Sequence, residues 1–306
     1  MKLSIGPIQY YWSRDDLIDF YRRVADWPVD SVYLGETVCS KRRLFRFDDW
    51  MDTAHRLRDA GKEVVLSTLA LLEAESELKT LRKICANGEF RVEANDIAAV
   101  QLLSSAGVPF VAGPTVNIYN AATLRVLADA GLTRWVLPLE LGRDTLDAIQ
   151  REAPDGVEAE LFAWGRMPLA MSARCYTARA YELPKDDCQY RCLDHPDGLT
   201  LDTREGEAFL AINGIQTQSA LSCNLLAEID DIRRVGVDVL RISPQARHME
   251  RIVAAFDAAL HDRPVADVAA LAPVGSCNGY WREQAGMDYT PRSLSGYGDR
   301  SEGKPF

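Results

Sequence analysis

The sequence has no apolar run approaching the roughly 20 residues that a membrane-spanning helix needs, although 47% of its 306 residues are hydrophobic. Its first residues lack the long apolar segment and the small-residue cleavage site of a secretory signal. Basic residues are also few, with 35 Lys and Arg against 45 Asp and Glu, and the net charge is −10. These features predict a cytoplasmic protein with no membrane span and no nucleic-acid partner, because phosphate binding needs a basic surface.

Motifs of several enzyme classes are absent as well. No Gly-rich dinucleotide fingerprint or P-loop follows any predicted strand, and there is no H-E-x-x-H sequence. The four histidines do not form a convincing Ser-His-Asp or Cys-His arrangement. Seven cysteines without an export signal indicate reduced thiols, metal ligands or catalysis rather than a disulfide framework.

What is present is a regular alternation of short apolar runs and longer segments with helical periodicity. Several helical segments end at a glycine that is followed by a new strand, as at Gly61, Gly107 and Gly131. This order predicts an α/β fold, a closed (β/α)8 barrel of the TIM type, with an open doubly wound sheet as the alternative. The predicted strands lie at residues 2–5, 31–34, 63–67, 90–93, 109–112, 135–138, 159–163, 209–212 and 239–242.

Nine candidate strands leave one more than the barrel needs, and we expect the surplus strand in an insertion near residues 209–217. We predict one barrel domain over residues 1–292. Residues 165–206 contain Gly, Pro, charges and three cysteines with little apolar periodicity, so they are interpreted as a Cys-rich insertion after the seventh strand. Residues 293–306 are rich in Gly, Ser and charge and are predicted to be disordered.

Four cysteines are placed to meet on one face of this barrel. Loops that leave the carboxyl ends of parallel barrel strands share one face. Cys39 follows the strand at 31–34, while Cys175, Cys188 and Cys192 lie in the insertion after the seventh strand. Four thiolates from two loops can hold either a [4Fe–4S] cluster or a structural zinc ion. Only Cys188 and Cys192 are close in sequence, which favours the cluster, because structural zinc usually uses two close pairs.

The remaining cysteines are interpreted differently. Cys85 fits a small buried hydrophobic residue on a helix. The same interpretation applies to Cys277. It is weaker for Cys223, because this residue also follows a strand. His195 stands where the third thiol of a C-x3-C-x2-C radical motif would be, so that motif is incomplete. We expect a loop or supporting role for His195 rather than ligation.

The stretch from Glu160 to Cys175, E-L-F-A-W-G-R-M-P-L-A-M-S-A-R-C, resembles the signature of the collagenase-like peptidase family. V-Y-L-G at 32–35, G-P-T at 113–115 and N-G-Y-W at 278–281 resemble further blocks, so the resemblance covers nearly the whole chain. Two family cysteines are missing, one after Gly165 and one in a D-L-C block that corresponds to 225–227. Cys39 and the pair Cys188 and Cys192 replace them, which resembles the UbiV subfamily.

That resemblance implies a [4Fe–4S] cluster held by Cys39, Cys175, Cys188 and Cys192, and a heterodimer with the paralogue UbiU. It further implies a role in the anaerobic hydroxylation of ubiquinone-precursor lipids, as a subunit of an oxygen-independent ring hydroxylase. The alternatives are a noncatalytic cluster-bearing subunit, RNA hydroxylation as in other family members, and peptidase activity, which a cysteine bound to a cluster could not support as a nucleophile. Polar residues near predicted strand ends are candidates for a pocket: Glu36, Lys41, Arg42, Glu93, Asn95 and Asn117.

Overall fold

Eight parallel strands close into a barrel in the computed structural model, which describes residues 1–291. Each strand pairs with the next along the chain, and the last one pairs with both the seventh and the first, which closes the ring. The prediction of a (β/α)8 barrel is therefore confirmed. The barrel strands are β1 (Lys2–Ile5), β2 (Ser31–Leu34), β3 (Glu63–Ser67), β4 (Arg91–Ala94), β5 (Phe110–Ala112), β6 (Leu132–Val136), β7 (Glu158–Met171) and β11 (Val239–Ile242).

Helices lie between the strands and pack against the outside of the barrel with their apolar faces. The first helix shows why they form where they do: the Ser13 side chain accepts the backbone N–H of Asp16, acids occupy the first turn, and Arg22 and Arg23 occupy the last. The helices are α1 (Arg14–Val24), α2 (Phe47–Asp59), α3 (Glu75–Cys85), α4 (Ile97–Ser105), α5 (Ala121–Asp129), α6 (Arg143–Gln150), α7 (Tyr176–Ala180), α8 (Ile229–Val235) and α9 (Met249–Leu260).

The seventh strand continues out of the barrel and begins an antiparallel excursion. Its first half pairs with β6 and β11, whereas its second half, after Gly165, pairs with β10 (Gln216–Asn224). Two more strands, β8 (Leu199–Asp202) and β9 (Ala208–Asn213), extend this sheet, and β12 (Ser276–Cys277) pairs with β10. The surplus strand predicted at 209–212 is β9, and the excursion continues to Asn224, beyond the expected insertion of 165–206.

The interior of the barrel is polar where many such barrels are filled by branched apolar side chains. Arg241 donates to Glu160 at 2.8 Å and to Glu93 at 2.7 Å, and all three residues are buried. Tyr33 donates to Glu160 and lies under the Arg241 guanidinium at 4.0 Å. Because β2, β4, β7 and β11 are not all neighbours, these contacts cross the barrel and hold opposite sides together.

None of the helices over residues 1–291 is long and apolar enough to cross a membrane. The predicted disordered tail at 293–306 lies outside the described residues.

We predict that Glu160→Gln lowers the free energy of unfolding by about 3 kcal/mol, because it leaves the buried Arg241 short of one anionic partner. Burial alone would raise the pKa of Glu160, but Arg241 acts in the opposite direction and the pKa lies below its ordinary value. The stabilisation of the fold by the ionised Glu160 carboxylate is therefore complete above the pKa of an unfolded glutamate. It is lost as the pH falls through the lowered pKa of Glu160 in the folded protein. Urea denaturation from pH 7 to well below pH 4 measures both effects.

The matched control is Glu152→Gln, which removes an exposed ion pair with Arg125. We expect this change to leave the unfolding free energy almost unaltered, since exposed pairs contribute little. Equal effects of the two substitutions would show that the barrel network does not stabilise the fold.

Candidate functional site

The loop after β2 carries Cys39 on the face formed by the carboxyl ends of the strands. The Glu36 carboxylate accepts the backbone N–H groups of Val38 at 2.8 Å and of Cys39 at 2.9 Å. The backbone N–H of Arg42 in turn donates to the Cys39 carbonyl at 3.0 Å. These bonds fold the loop into a tight turn, so the position of the Cys39 thiol is fixed by the backbone around it.

Cys175 stands at the start of α7, in the excursion. Its sulfur accepts the backbone N–H of Ala178 at 3.4 Å, which makes it the cap of that short helix. The backbone N–H of Gly214, in the turn between β9 and β10, donates to the Thr177 hydroxyl at 2.9 Å. The thiol is therefore held against the outer sheet.

Cys188 and Cys192 flank a sharp reversal of the chain. The two residues after Cys188, Gln189 and Tyr190, both adopt left-handed backbone conformations, with φ of 50° and 53°. A short 3₁₀ turn over Arg191–Asp194 then carries Cys192. The unusual backbone is what places both thiols in one compact loop.

A lysine joins this loop to the loop after β2. Lys41 donates to the carbonyl of Lys185 and to the carboxylate of Asp186, both at 2.8 Å. Cys39 and Cys188 each lie close enough to Lys41 to raise its pKa, after the larger effect of Asp186. The two segments that carry the predicted ligands are thus in direct contact.

Three of the four thiols lie within electrostatic reach of one another. Cys192 interacts with both Cys39 and Cys175, and Cys39 also interacts with Cys175. Burial raises the pKa of Cys39, and burial raises the pKa of Cys192 to about 11, with the neighbouring thiols adding to the shift in both cases. Electrostatic interactions therefore link Cys39, Cys175 and Cys192, and Cys188 interacts with Lys41.

Arg42 lies among these groups with only 1% of its side chain exposed. It donates to Asn213 at 2.6 Å and to the carbonyl of Gln9 at 2.8 Å, and it faces Glu36 at 3.6 Å. Burial alone would lower its pKa, but Glu36, Cys192 and Cys39 reverse this and the pKa lies above its ordinary value. Its Nε atom is buried and has no partner among the described residues. One donor of a buried cation is therefore unused beside the thiols.

The other cysteines and His195 lie in different surroundings. Cys85, at the end of α3, packs against the helix core, and burial raises its pKa to about 11. Cys223 and Cys277 are buried register partners on β10 and β12. His195 shares a hydrogen bond with the Tyr181 hydroxyl at 2.7 Å, which suits a supporting role.

Two of the predicted pocket residues have buried structural partners. Glu93 belongs to the barrel network, and Asn95 donates to the carbonyl of Thr68 at 3.0 Å. Asn117 has a left-handed backbone at the end of a 3₁₀ turn. Glu36 and Arg42, by contrast, line an open groove of about 770 Å³ between the loop after β2, α2 and α3. Sequence reasoning missed this groove, which also contains Phe45, Arg46 and Lys79.

Residues 1–291 contain no group of three or more His, Cys, Asp or Glu side chains that could hold a metal ion. A tetrahedral zinc site needs four sulfurs about 3.8 Å apart, given Zn–S bonds of about 2.3 Å. The cysteines of a [4Fe–4S] cluster bind different iron atoms, so their sulfurs need not converge on one point. The donor set of four thiols with a buried cation beside it fits such a cluster, and ligation by all four remains a prediction.

Comparisons with known proteins give the following similarities. A family model described as "Peptidase family U32" matches residues 18–267. A curated protein named "Collagenase", from Porphyromonas gingivalis, is 24% identical over 243 residues, which are 73% of this chain and 58% of that protein. The chain therefore spans less than two thirds of that relative's length.

Solved structures with a similar fold have low sequence identity. The U32 peptidase Mk0906 is 12% identical, with a TM-score of 0.46, over 80% of this chain and 93% of its own. A dihydropteroate synthase from Thermus thermophilus is 13% identical, with a TM-score of 0.41, over 84% of this chain and 94% of its own.

The proximity of the thiols can be tested without any metal. We predict that a short bifunctional thiol reagent, dibromobimane, links pairs among Cys39, Cys175 and Cys192 in the folded protein, as convergence of these thiols on one cluster requires. Peptide mapping by mass spectrometry identifies the linked pairs. Cys85→Ala should leave the pattern unchanged, whereas a product that joins Cys85 to Cys39 would contradict the geometry.

Proposed function

The chain belongs to peptidase family U32, and from this premise we propose that it is an iron–sulfur protein that acts in ubiquinone biosynthesis. In this proposal it forms a heterodimer with its paralogue UbiU. The pair hydroxylates the aromatic ring of ubiquinone precursors without molecular oxygen, in the cytoplasm. The observation that supports the proposal is the electrostatic interaction of Cys39, Cys175 and Cys192 with one another, and of Cys39 and Cys192 with the buried guanidinium of Arg42.

In this function Cys39, Cys175, Cys188 and Cys192 would hold a [4Fe–4S] cluster, which supplies one-electron transfer when bound. The chain's own part is to neutralise negative charge and to exclude water. Four thiolates are anionic, and burying negative charge is costly unless a cation lies close by. Arg42 supplies a permanent buried cation, and Lys41 supplies a second positive charge at the rim. Arg42 is therefore a positioning and charge-balancing residue.

Peptide hydrolysis, which the family description suggests, is not what we propose for this chain. A nucleophilic cysteine needs a lowered pKa, usually through a neighbouring cation or histidine. Burial instead raises the pKa of Cys39, Cys85, Cys192, Cys223 and Cys277. Hydroxylation of RNA is disfavoured by the net charge of −10.

The central prediction concerns iron and sulfide. Purified without oxygen, the chain should contain about four iron atoms and about four sulfide ions, as a [4Fe–4S] cluster requires. Changing Cys39, Cys175, Cys188 or Cys192 to Ala should each remove most of the iron and of the visible absorption. Colorimetric iron and sulfide analysis with absorption spectroscopy measures this result.

The matched control for these substitutions is Cys85→Ala, which removes a half-buried thiol outside the group. This variant should retain the full iron content. Tightly bound zinc without sulfide would overturn the proposal, and so would full iron retention in any of the four ligand variants.

A second prediction tests the role of Arg42. Arg42→Gln should speed the loss of visible absorption in the presence of a chelator about tenfold, because a charge-assisted interaction is worth about 1.5–3 kcal/mol. Arg42→Lys should restore part of the stability. The exposed neighbour Arg43 serves as the control, since Arg43→Gln should leave the rate of absorption loss unchanged. Equal rates for Arg42→Gln and the unaltered chain would exclude charge balance as the role of Arg42.

The noncatalytic alternative, a cluster that only shapes or relays electrons to UbiU, makes a different prediction for the same variants. If the cluster is structural, its loss should unfold the chain or dissociate the chain from UbiU. A redox role requires a folded heterodimer that no longer yields hydroxylated ring products under anaerobic conditions. Size-exclusion chromatography of the co-expressed pair and product analysis separate the two outcomes.

A further inference from the structure

A groove of about 770 Å³ opens beside the barrel axis, on the face formed by the carboxyl ends of the strands. The end of β2 and the end of β3 form its floor, and α2 and α3 form its walls. This volume is within the usual range of about 300–1,000 Å³ for small-molecule sites. Its position is that of an active site in an α/β barrel.

The excursion is hydrogen-bonded to two loops on this face of the barrel. Trp12 donates to the carbonyl of Pro196 at 2.7 Å, and the backbone N–H of Ala246 donates to the Asp197 carboxylate at 2.7 Å. Arg166 also donates to the carbonyl of Asp197. The loops after β1 and β11 are thus bonded to the excursion, whereas the groove lies beside the ends of β2 and β3.

One side of the groove is apolar and aromatic. Phe45 and Trp50 meet edge to face, with ring centroids 4.8 Å apart, and Leu66 and Leu69 lie in the same lining. Phe45, Leu66 and Leu69 are at most 9% exposed, so they form a firm surface. An aromatic ring fits such a surface through edge-to-face contacts and the burial of its apolar area.

The other side is basic. Arg43, Arg46, Lys79 and Lys83 belong to the lining, and their side chains are exposed. Among the described residues neither Arg46 nor Lys79 forms a salt bridge; Asp49, which interacts electrostatically with Arg46, is paired with Arg14. An excess of unpaired cations on a chain with a net charge of −10 indicates that this position serves an anion.

The two acids in the lining are already engaged. Glu36 accepts two backbone N–H groups and faces Arg42. Glu77 accepts the Ser40 hydroxyl at 2.5 Å and the backbone N–H of Ala74 at 3.1 Å. Neither carboxylate is therefore available to neutralise the rim cations.

We propose that this groove binds an aromatic carboxylate, with its ring against Phe45 and Trp50 and its carboxylate toward Arg46 and Lys79. The inference deepens the proposed function, and it rests on that function where it takes the bound molecule as a reactant. Glu36, Ser40 and Arg42 line the groove, and the loop they belong to also carries Cys39. The ligand would thus lie next to the thiol group, separated from it by a single turn of chain.

In the experiment, isothermal titration calorimetry measures the binding of 4-hydroxybenzoate to the full chain. A separate titration uses 4-hydroxybenzamide, which is neutral and has nearly the same shape. The acid should bind about tenfold more tightly, the ratio expected for one charge-assisted interaction. Arg46→Gln combined with Lys79→Gln should remove this preference and leave amide binding unchanged. Trp50→Ala should weaken both ligands.

The matched control is Arg22→Gln on α1, which removes an exposed cation that is not part of the lining. It should leave both affinities unchanged. Equal affinity for acid and amide, an unaltered preference in the double variant, or no binding of the acid at millimolar concentration would each overturn the proposal. Tighter binding of anionic phospholipid vesicles than of the acid, lost in the same double variant, would assign the groove to a membrane surface instead.

The same titration on iron-free protein separates this inference from the proposed function. Saturable binding of the acid to a chain that never contains iron would support the groove and refute the cluster. A chain with full iron and sulfide content that does not bind the acid would refute the groove and leave the cluster in place.

Discussion

The buried guanidinium of Arg42 is the contact on which the arrangement of the candidate site depends. It bonds to the loop after β1 through the carbonyl of Gln9, to β9 through Asn213, and to its own loop through Glu36. A buried cation without such partners would be costly, so each contact compensates for part of its desolvation. A Cβ atom at Gly214 would lie 2.9 Å from the guanidinium, and Gly214 has a φ of 65°, so a side chain there would disturb the same contact. Arg42 therefore joins the loop of Cys39 to the excursion, together with the bonds of Lys41 to Lys185 and Asp186.

The barrel interior explains why residues of the family signature occur where they do. Glu160 joins Tyr33, Ser4 and Arg241 across the barrel. At Gly165 the same strand leaves the barrel with a φ of 121°, and a Cβ atom there would lie 2.6 Å from Ser243. The glutamate therefore anchors the strand inside, and the glycine allows it to turn outward. Both positions serve the fold that presents Cys175 rather than the chemistry itself.

Much of the barrel follows from local pattern, because a buried parallel strand and an amphipathic helix each leave a clear periodicity. Strand and helix bounds differ from prediction by a few residues, as at β6, which begins at Leu132 directly after the left-handed Gly131. The length of β7 could not be predicted. Its outer half depends on pairing with β10, some 50 residues later in the chain, and nothing within Gly165–Met171 indicates that partner.

The candidate site, like the barrel, could be predicted only in part. The positions of Cys39 and Cys175 relative to strand ends are local information, and they indicated a common face. The groove was not predictable, because Arg46 directly precedes α2 and Lys79 lies on α3, and each has the pattern of an ordinary exposed residue. Their significance depends on Glu36 and Glu77 being used by backbone N–H groups, which only the folded loop determines.

The loop after β2 connects the two proposed sites physically. Its Glu36 and Arg42 side chains form part of the groove, while its Cys39 thiol lies within electrostatic reach of Cys175 and Cys192 in the excursion. Since Glu36 bonds directly to the backbone N–H of Cys39, a ligand that displaces Glu36 also moves the thiol. Occupancy of the groove and the geometry of the thiol group are therefore coupled through one tight turn. In the proposed function, a reactant bound in the groove would therefore lie beside the loop that carries Cys39, one of the four proposed cluster ligands.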